Sequence, residues 1–114
     1  MIFSKVWGTT SPILFKNNVE IHRIKIEEGG YCSKHLHKYK YNMFFVESGK
    51  LLIETWKSDS GLIDSTILIT GDQTIVKPNE IHRFSALAPT IAYEIYWIEL
   101  DPNDIQREDH GGLR

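Results

Sequence analysis

The chain has 114 residues, of which 41 % are hydrophobic and 25 % charged, the balance of one folded domain that can bury a core without disulfides or structural zinc. A net charge of −2 and a pI near 6.2 give no basic footprint, which argues against nucleic acid as a partner. Apolar runs of a few residues (Met43 to Val46, Leu51 to Ile53) exclude a membrane-spanning helix. The opening MIFSKVWGTTS lacks the apolar stretch of a secretory signal, and the single Cys32 excludes an internal disulfide framework. A small, soluble, cytoplasmic domain is expected.

In chain order, short stretches rich in Ile, Val, Tyr, Phe, Trp and Thr predict strands over 3–7, 12–15, 19–27, 31–37, 41–48, 50–57, 63–70, 73–77, 81–86 and 91–100. Turn residues separate them: Lys16-Asn17-Asn18, Gly29-Gly30, Ser48-Gly49-Lys50, Ser58-Asp59-Ser60-Gly61, Gly71-Asp72 and Leu87-Ala88-Pro89. Within 19–27 the apolar phase changes, from Val19 and Ile21 to Ile24 and Ile26, which predicts a bulge near His22-Arg23. After Leu100 the chain turns polar, and Asp101-Pro102 predicts a short helical turn over 102–106. This many short strands without helical periodicity means an all-β antiparallel sandwich or small barrel. The organisation is one domain over 1–100 with a polar extension over 101–114.

The histidines carry the chemistry. His35 and His37 form H-x-H in a predicted strand, where alternate residues share a face. His82 opens a later strand behind Lys77-Pro78-Asn79-Glu80 and can meet the first two across a closed sheet. Three imidazoles converging in a β-pocket are the donor set of a first-row transition metal. Two histidines at this spacing, taken alone, are more often an ordinary hydrogen-bonded pair. The surrounding spacings decide against that reading.

Gly29-x5-His35-x-His37-x4-Asn42-x6-Gly49, followed by Gly71-x6-Pro78-x3-His82, resembles the paired signature of the cupin superfamily, G-x5-H-x-H-x3-4-E-x6-G and G-x5-P-x-G-x2-H. The resemblance runs from Gly29 to Phe84. It implies a small antiparallel β-barrel of jelly-roll type and one divalent metal on His35, His37 and His82. It departs at Asn42, which stands where the family has a glutamate ligand, and at Glu80, which stands where a glycine is usual in a segment one residue shorter. Asn42 can offer a neutral amide oxygen or orient a metal-bound water. Without a carboxylate the site should favour Zn²⁺, Fe²⁺, Ni²⁺ or Cu²⁺ over Mn²⁺ and should welcome an anionic ligand.

Within the superfamily, HLHKYKYNMFFVESGKLLIE, KPNEIHRF and the tail DPNDIQREDHGG look most like the mannose-6-phosphate isomerase-like branch. That implies a metal-dependent isomerase acting on a sugar, a sugar phosphate or a similar small polar or anionic molecule. Two other functions stay open: a three-histidine mononuclear iron dioxygenase, and a metal- or ligand-binding module without catalysis. A homodimer is expected, with the apolar N-terminal strand around Ile2, Phe3, Val6 and Trp7 covering an edge.

Remaining residues carry weaker expectations. Cys32 has opposite strand parity to His35 and His37, which places it outward or at an edge in a structural role. Glu47 faces away from the pocket if Asn42, Phe44 and Val46 face in, so no base for isomerisation is evident. Glu94 interrupts an apolar strand, either as a pocket acid or on a solvated face. His22 and His110 read as ordinary surface residues. Lys34, Lys38 and Lys40 either protect a strand edge or draw anions to the pocket.

Overall fold

The computed structural model describes residues 1–99, 103, 104 and 106–114. Nine strands are present among them: β1 (Phe3–Lys5), β2 (Gly8–Lys16), β3 (Val19–Ile26), β4 (Tyr41–Ser48), β5 (Lys50–Trp56), β6 (Ile63–Ile69), β7 (Gln73–Val76), β8 (Ile81–Ala86) and β9 (Thr90–Trp97). They form a six-stranded sheet, β1-β2-β3-β9-β4-β7, and a three-stranded sheet, β6-β5-β8. Every pairing is antiparallel. The expected barrel is therefore realised as two facing sheets. The helical turn expected over 102–106 falls partly on residues outside those described, as does the boundary expected at 100–101.

Alternation along each strand buries one face of each sheet. Ile24, Ile26, Phe44, Val46, Val76 and Ala92 come from the large sheet, and Leu51, Ile53, Leu68, Phe84 and Ala86 from the small one. Trp7 closes the core from the segment between β1 and β2, edge-on to Phe84 at 5.0 Å between ring centroids. Turn chemistry sets the register. Gly49 joins β4 to β5 at φ 105°, where a side chain would also meet the Pro89 carbonyl oxygen at 2.4 Å, so only glycine fits.

Two expectations need correction. The 31–37 stretch is not a regular strand. It runs along the free edge of β8 as an irregular ribbon, with isolated bridges Tyr31–Ser85 and His35–His82. Those pairings differ by one residue in register, so an extra residue is accommodated between Cys32 and His35. The bulge expected at His22-Arg23 is also absent, since β3 pairs with β9 in unbroken register from Val19–Trp97 to Ile26–Thr90. The irregularity lies in the neighbouring strand, between Pro12 and Leu14 of β2. Alternation then puts Glu20, His22, Ile24 and Ile26 on the inner face of β3, while Val19 and Ile21 turn outward.

Candidate metal centre

Inner residues of the large sheet stack in cross-strand rows. At one end Ile24 of β3, Ala92 of β9 and Val46 of β4 lie side by side. Moving along the strands, the next row is His22, Glu94 and Phe44, and the next Glu20, Tyr96 and Asn42. The small sheet changes in the same direction, from Leu51 beside Ala86 to Thr55 beside His82. One end of the space between the sheets is thus apolar and the other is lined with ionisable groups.

The polar end holds His35, His37 and His82, with one ring nitrogen of each within 4.8 Å of the others. Their ring centroids are 4.6 to 5.4 Å apart. Backbone ties between distant segments hold them there. His35 and His82 exchange both amide hydrogen bonds, at 3.1 and 2.8 Å, and the Asn79 amide donates to the His37 carbonyl at 2.7 Å. Asn79 adopts φ 67°, a left-handed turn position that asparagine tolerates. Asn79 is the left-handed residue of this turn; Glu80, which stands where the cupin signature has a glycine, is not at positive φ.

Tautomers follow from the partners. His35 Nδ1 donates to the Ser33 carbonyl at 2.7 Å, and His82 Nδ1 donates to the Glu80 carbonyl at 2.9 Å. A carbonyl only accepts, so both protons sit on Nδ1 and both Nε2 atoms present lone pairs. Glu80 is itself anchored, its carboxylate accepting from Lys57 Nζ at 2.6 Å and from the Lys77 amide at 2.9 Å. Burial first, then the other imidazoles, pushes His37 down to about 4. Burial also lowers His82. These two rings are neutral at neutral pH, as metal ligation requires.

Asn42 is buried on the inner face of β4. Its Nδ2 donates to the Met43 carbonyl at 3.3 Å, which leaves Oδ1 free to accept. Asn42 Oδ1, His37 Nε2 and His82 Nε2 are buried with no hydrogen-bond partner. Buried polar atoms without partners are rare and costly, and three at the polar end of one interior suit a cation. Three imidazole nitrogens and a neutral amide oxygen form a donor set that fits a borderline transition metal.

The cluster opens onto a cavity of about 340 Å³, whose lining includes His35, His37, Glu20, His22, Glu94 and Tyr96. His22 is therefore a pocket residue, contrary to expectation. It lies edge-on to Tyr96 at 5.9 Å, and its Nε2 is 3.3 Å from Glu20 Oε2. Lys40 Nζ donates to Glu20 Oε1 at 3.0 Å. Burial opposes the charge on Glu20, but these two partners outweigh it and hold the carboxyl below its ordinary value. The outward placement expected for Cys32 is also overturned: it is buried and lines the cavity, because the register shift before His35 reverses its parity. Its Sγ accepts the Phe84 amide at 3.2 Å. Burial pushes the thiol up to about 11, which keeps it protonated and unreactive.

Glu94 is the pocket acid. The Tyr96 hydroxyl donates to its carboxylate, and burial raises its pKa. Glu47 points outward as expected, accepting from Tyr93 at 2.8 Å and lying 3.4 Å from Arg23. Of the three lysines near H-x-H, Lys40 alone lines the cavity. Lys34 instead lies over the Trp56 ring at 4.2 Å and Lys38 over Tyr39 at 5.4 Å. His110 is exposed in the C-terminal segment.

The sequence matches no protein-family model, and no curated protein is significantly similar to it. Solved structures are similar in fold. KdgF from a Halomonas species superposes with a TM-score of 0.75 at 16 % identity, covering 89 % of this chain and 88 % of that one. An RmlC-like cupin from Shewanella frigidimarina gives 0.72 at 18 %, covering 87 % and 84 %. An oxalate oxidase gives 0.61 at 21 %, covering 69 % of this chain and 40 % of that one. With two antiparallel sheets enclosing a three-histidine cluster and these structures as neighbours, the chain has the jelly-roll fold of the cupins.

Proposed function

We propose that the chain is a metal-dependent cupin enzyme in which His35, His37 and His82 hold one divalent transition metal and Asn42 offers its amide oxygen to the same ion. One observation carries the reading: His37 Nε2, His82 Nε2 and Asn42 Oδ1 are buried without partners, at the end of the interior where the three imidazoles converge. Zn²⁺, Fe²⁺, Ni²⁺ and Cu²⁺ suit these donors, and Mn²⁺ suits them less. When bound, such an ion supplies a Lewis acid that polarises a carbonyl or hydroxyl oxygen.

The proposed substrate is a sugar, a sugar phosphate or a similar small polar or anionic molecule, and the proposed reaction an isomerisation of the mannose-6-phosphate isomerase type. The cavity supports the size and polarity. Lys5 on its wall favours an anion, Lys40 there being paired with Glu20, and Glu94 supplies the acid–base group that isomerisation needs. Tyr96 donates a hydrogen bond to that carboxyl, while Trp7 and Phe84 give the cavity an apolar wall.

A second reading, a three-histidine iron dioxygenase, is favoured by the histidine cluster, which includes no carboxylate among the described residues. A binding module without catalysis would keep the metal and neither activity. We also propose a cytoplasmic homodimer of one domain over 1–100 with the extension over 101–114. The exposed Ile2, Phe3 and Val6 support the N-terminal edge as the contact. Elemental analysis of untagged protein tests the centre: one transition metal per chain is expected, and none after purification and reconstitution overturns it. Oxygen uptake by the Fe²⁺-loaded protein selects dioxygenation. Interconversion of mannose 6-phosphate and fructose 6-phosphate selects isomerisation. A 13 kDa species in sedimentation at micromolar concentration overturns the dimer.

A further inference from the structure

Besides histidines and lysines, the groups on the cavity wall that can ionise or give up a proton are Glu20, Cys32, Glu94 and Tyr96. Two of these are committed to neighbours. Glu20 holds Lys40 at 3.0 Å and His22 at 3.3 Å. Cys32 accepts the Phe84 amide. Glu94 is different, because it joins no ion pair among the described residues and its carboxylate accepts from the Tyr96 hydroxyl. A carboxylate has about four acceptor positions, so most of its capacity remains for a ligand.

Its position relates it to the histidines. Glu94 lies directly across from Phe44 on the inner face, and the Phe44 ring is 6.2 Å from His82. Tyr96, two residues on and on the same face, packs edge-on to His37 at 5.1 Å. The residue that aims the carboxyl is therefore in contact with the imidazole cluster. A cavity of about 340 Å³ equals roughly eleven liquid water volumes, which suits a ligand of a few carbons.

The charges set the ligand's two ends. Three neutral imidazoles around a divalent ion leave its charge uncompensated and favour a carboxylate there. At the other end, a ligand that expels water from Glu94 strands a buried polar group unless it brings a hydrogen-bonding partner. A hydroxyl supplies one and a methylene does not. We propose that Glu94, positioned by Tyr96, is the specificity-determining hydroxyl partner of the cavity, so that the site selects small hydroxycarboxylates over the same carboxylates without hydroxyls. This rests on the three-histidine metal centre proposed above.

The test uses the full chain loaded with Zn²⁺, its metal content measured first, and titrates glycerate and propionate by calorimetry. These probes share a carbon skeleton and a carboxylate and differ in two hydroxyls. The wild-type protein should bind glycerate at least tenfold more tightly. In Glu94→Ala the ratio should fall to about one with Zn²⁺ content unchanged. Any change of charge at position 94 acts on both carboxylates alike, so the ratio isolates the hydroxyl contact. Tyr96→Phe keeps the carboxylate but not its orientation, and should give an intermediate ratio. Equal wild-type affinities, no binding of either probe, or a preference that survives Glu94→Ala overturns the assignment of Glu94 while the metal centre stands. No Zn²⁺ uptake overturns the metal centre, and the assignment falls with it.

Discussion

The two ends of the interior are built from the same strands and behave as opposites. At one end Ile24, Ala92, Val46 and Leu51 are fully buried and offer nothing but packing. At the other, the same β3, β9 and β4 present Glu20, His22, Glu94, Tyr96 and Asn42, and burial there works against ionised forms. The comparison teaches that stability and chemistry are separated along the strand axis. The apolar end can hold the fold while the polar end tolerates unpaired acceptors.

The sharpest way to break the comparison is His37→Ala, which should abolish stoichiometric metal binding while the β-sheet signal in circular dichroism persists. Unfolding of this variant at room temperature would make the ion a folding staple and erase the distinction. At the other end, Leu51→Ala should cost about 2–5 kcal/mol in urea unfolding and leave metal stoichiometry intact.

Protonation gives a smaller, graded effect confined to the polar end. The His37 pKa falls from 6.5 to about 4 on folding, because burial and the neighbouring imidazoles disfavour the cation. The unfolded chain therefore takes up a proton near pH 6.5 that the folded chain refuses. Stability of the metal-free protein should be full above that pH and decline as pH falls toward 4. Urea midpoints across this range check it, and His37→Ala should flatten the decline.

Asn42→Glu should have the smallest effect and the most specific one. It adds an anionic oxygen, so affinity for Mn²⁺ should rise and affinity for azide on the metal-loaded protein should fall. Overpacking at a buried site lowers both together, so opposite movement is the signature that Asn42 reaches the ion. No change in either removes Asn42 from the centre.

The strands were largely legible because half-buried sheets leave a period-two pattern. The expected stretches 41–48 and 81–86 coincide with β4 and β8, and the others outside 31–37 agree within a few residues at their ends. The histidine cluster was legible because its ligands and the turn glycines Gly29, Gly49 and Gly71, each at positive φ, fall at spacings that resemble the cupin signature. Cys32 was misplaced because a register shift within an irregular edge leaves no trace in residue type. His22 was missed for a more instructive reason. The phase change in β3 looked like a bulge, but Val19 and Ile21 are apolar on the outer face where the inner face turns polar. A strand whose apolar phase flips without a bulge marks where a core gives way to a pocket.

The reciprocal amide bonds between His35 and His82 carry a thermodynamic consequence. These residues lie far apart in the chain, and bringing them together costs loop-closure entropy. Backbone bonds that need no ion offset that cost, so two donors should stand in place before any ion arrives. Metal affinity then reports the chemistry of the donors rather than the ordering of the chain, and exchanging one ion for another should leave the backbone where it is.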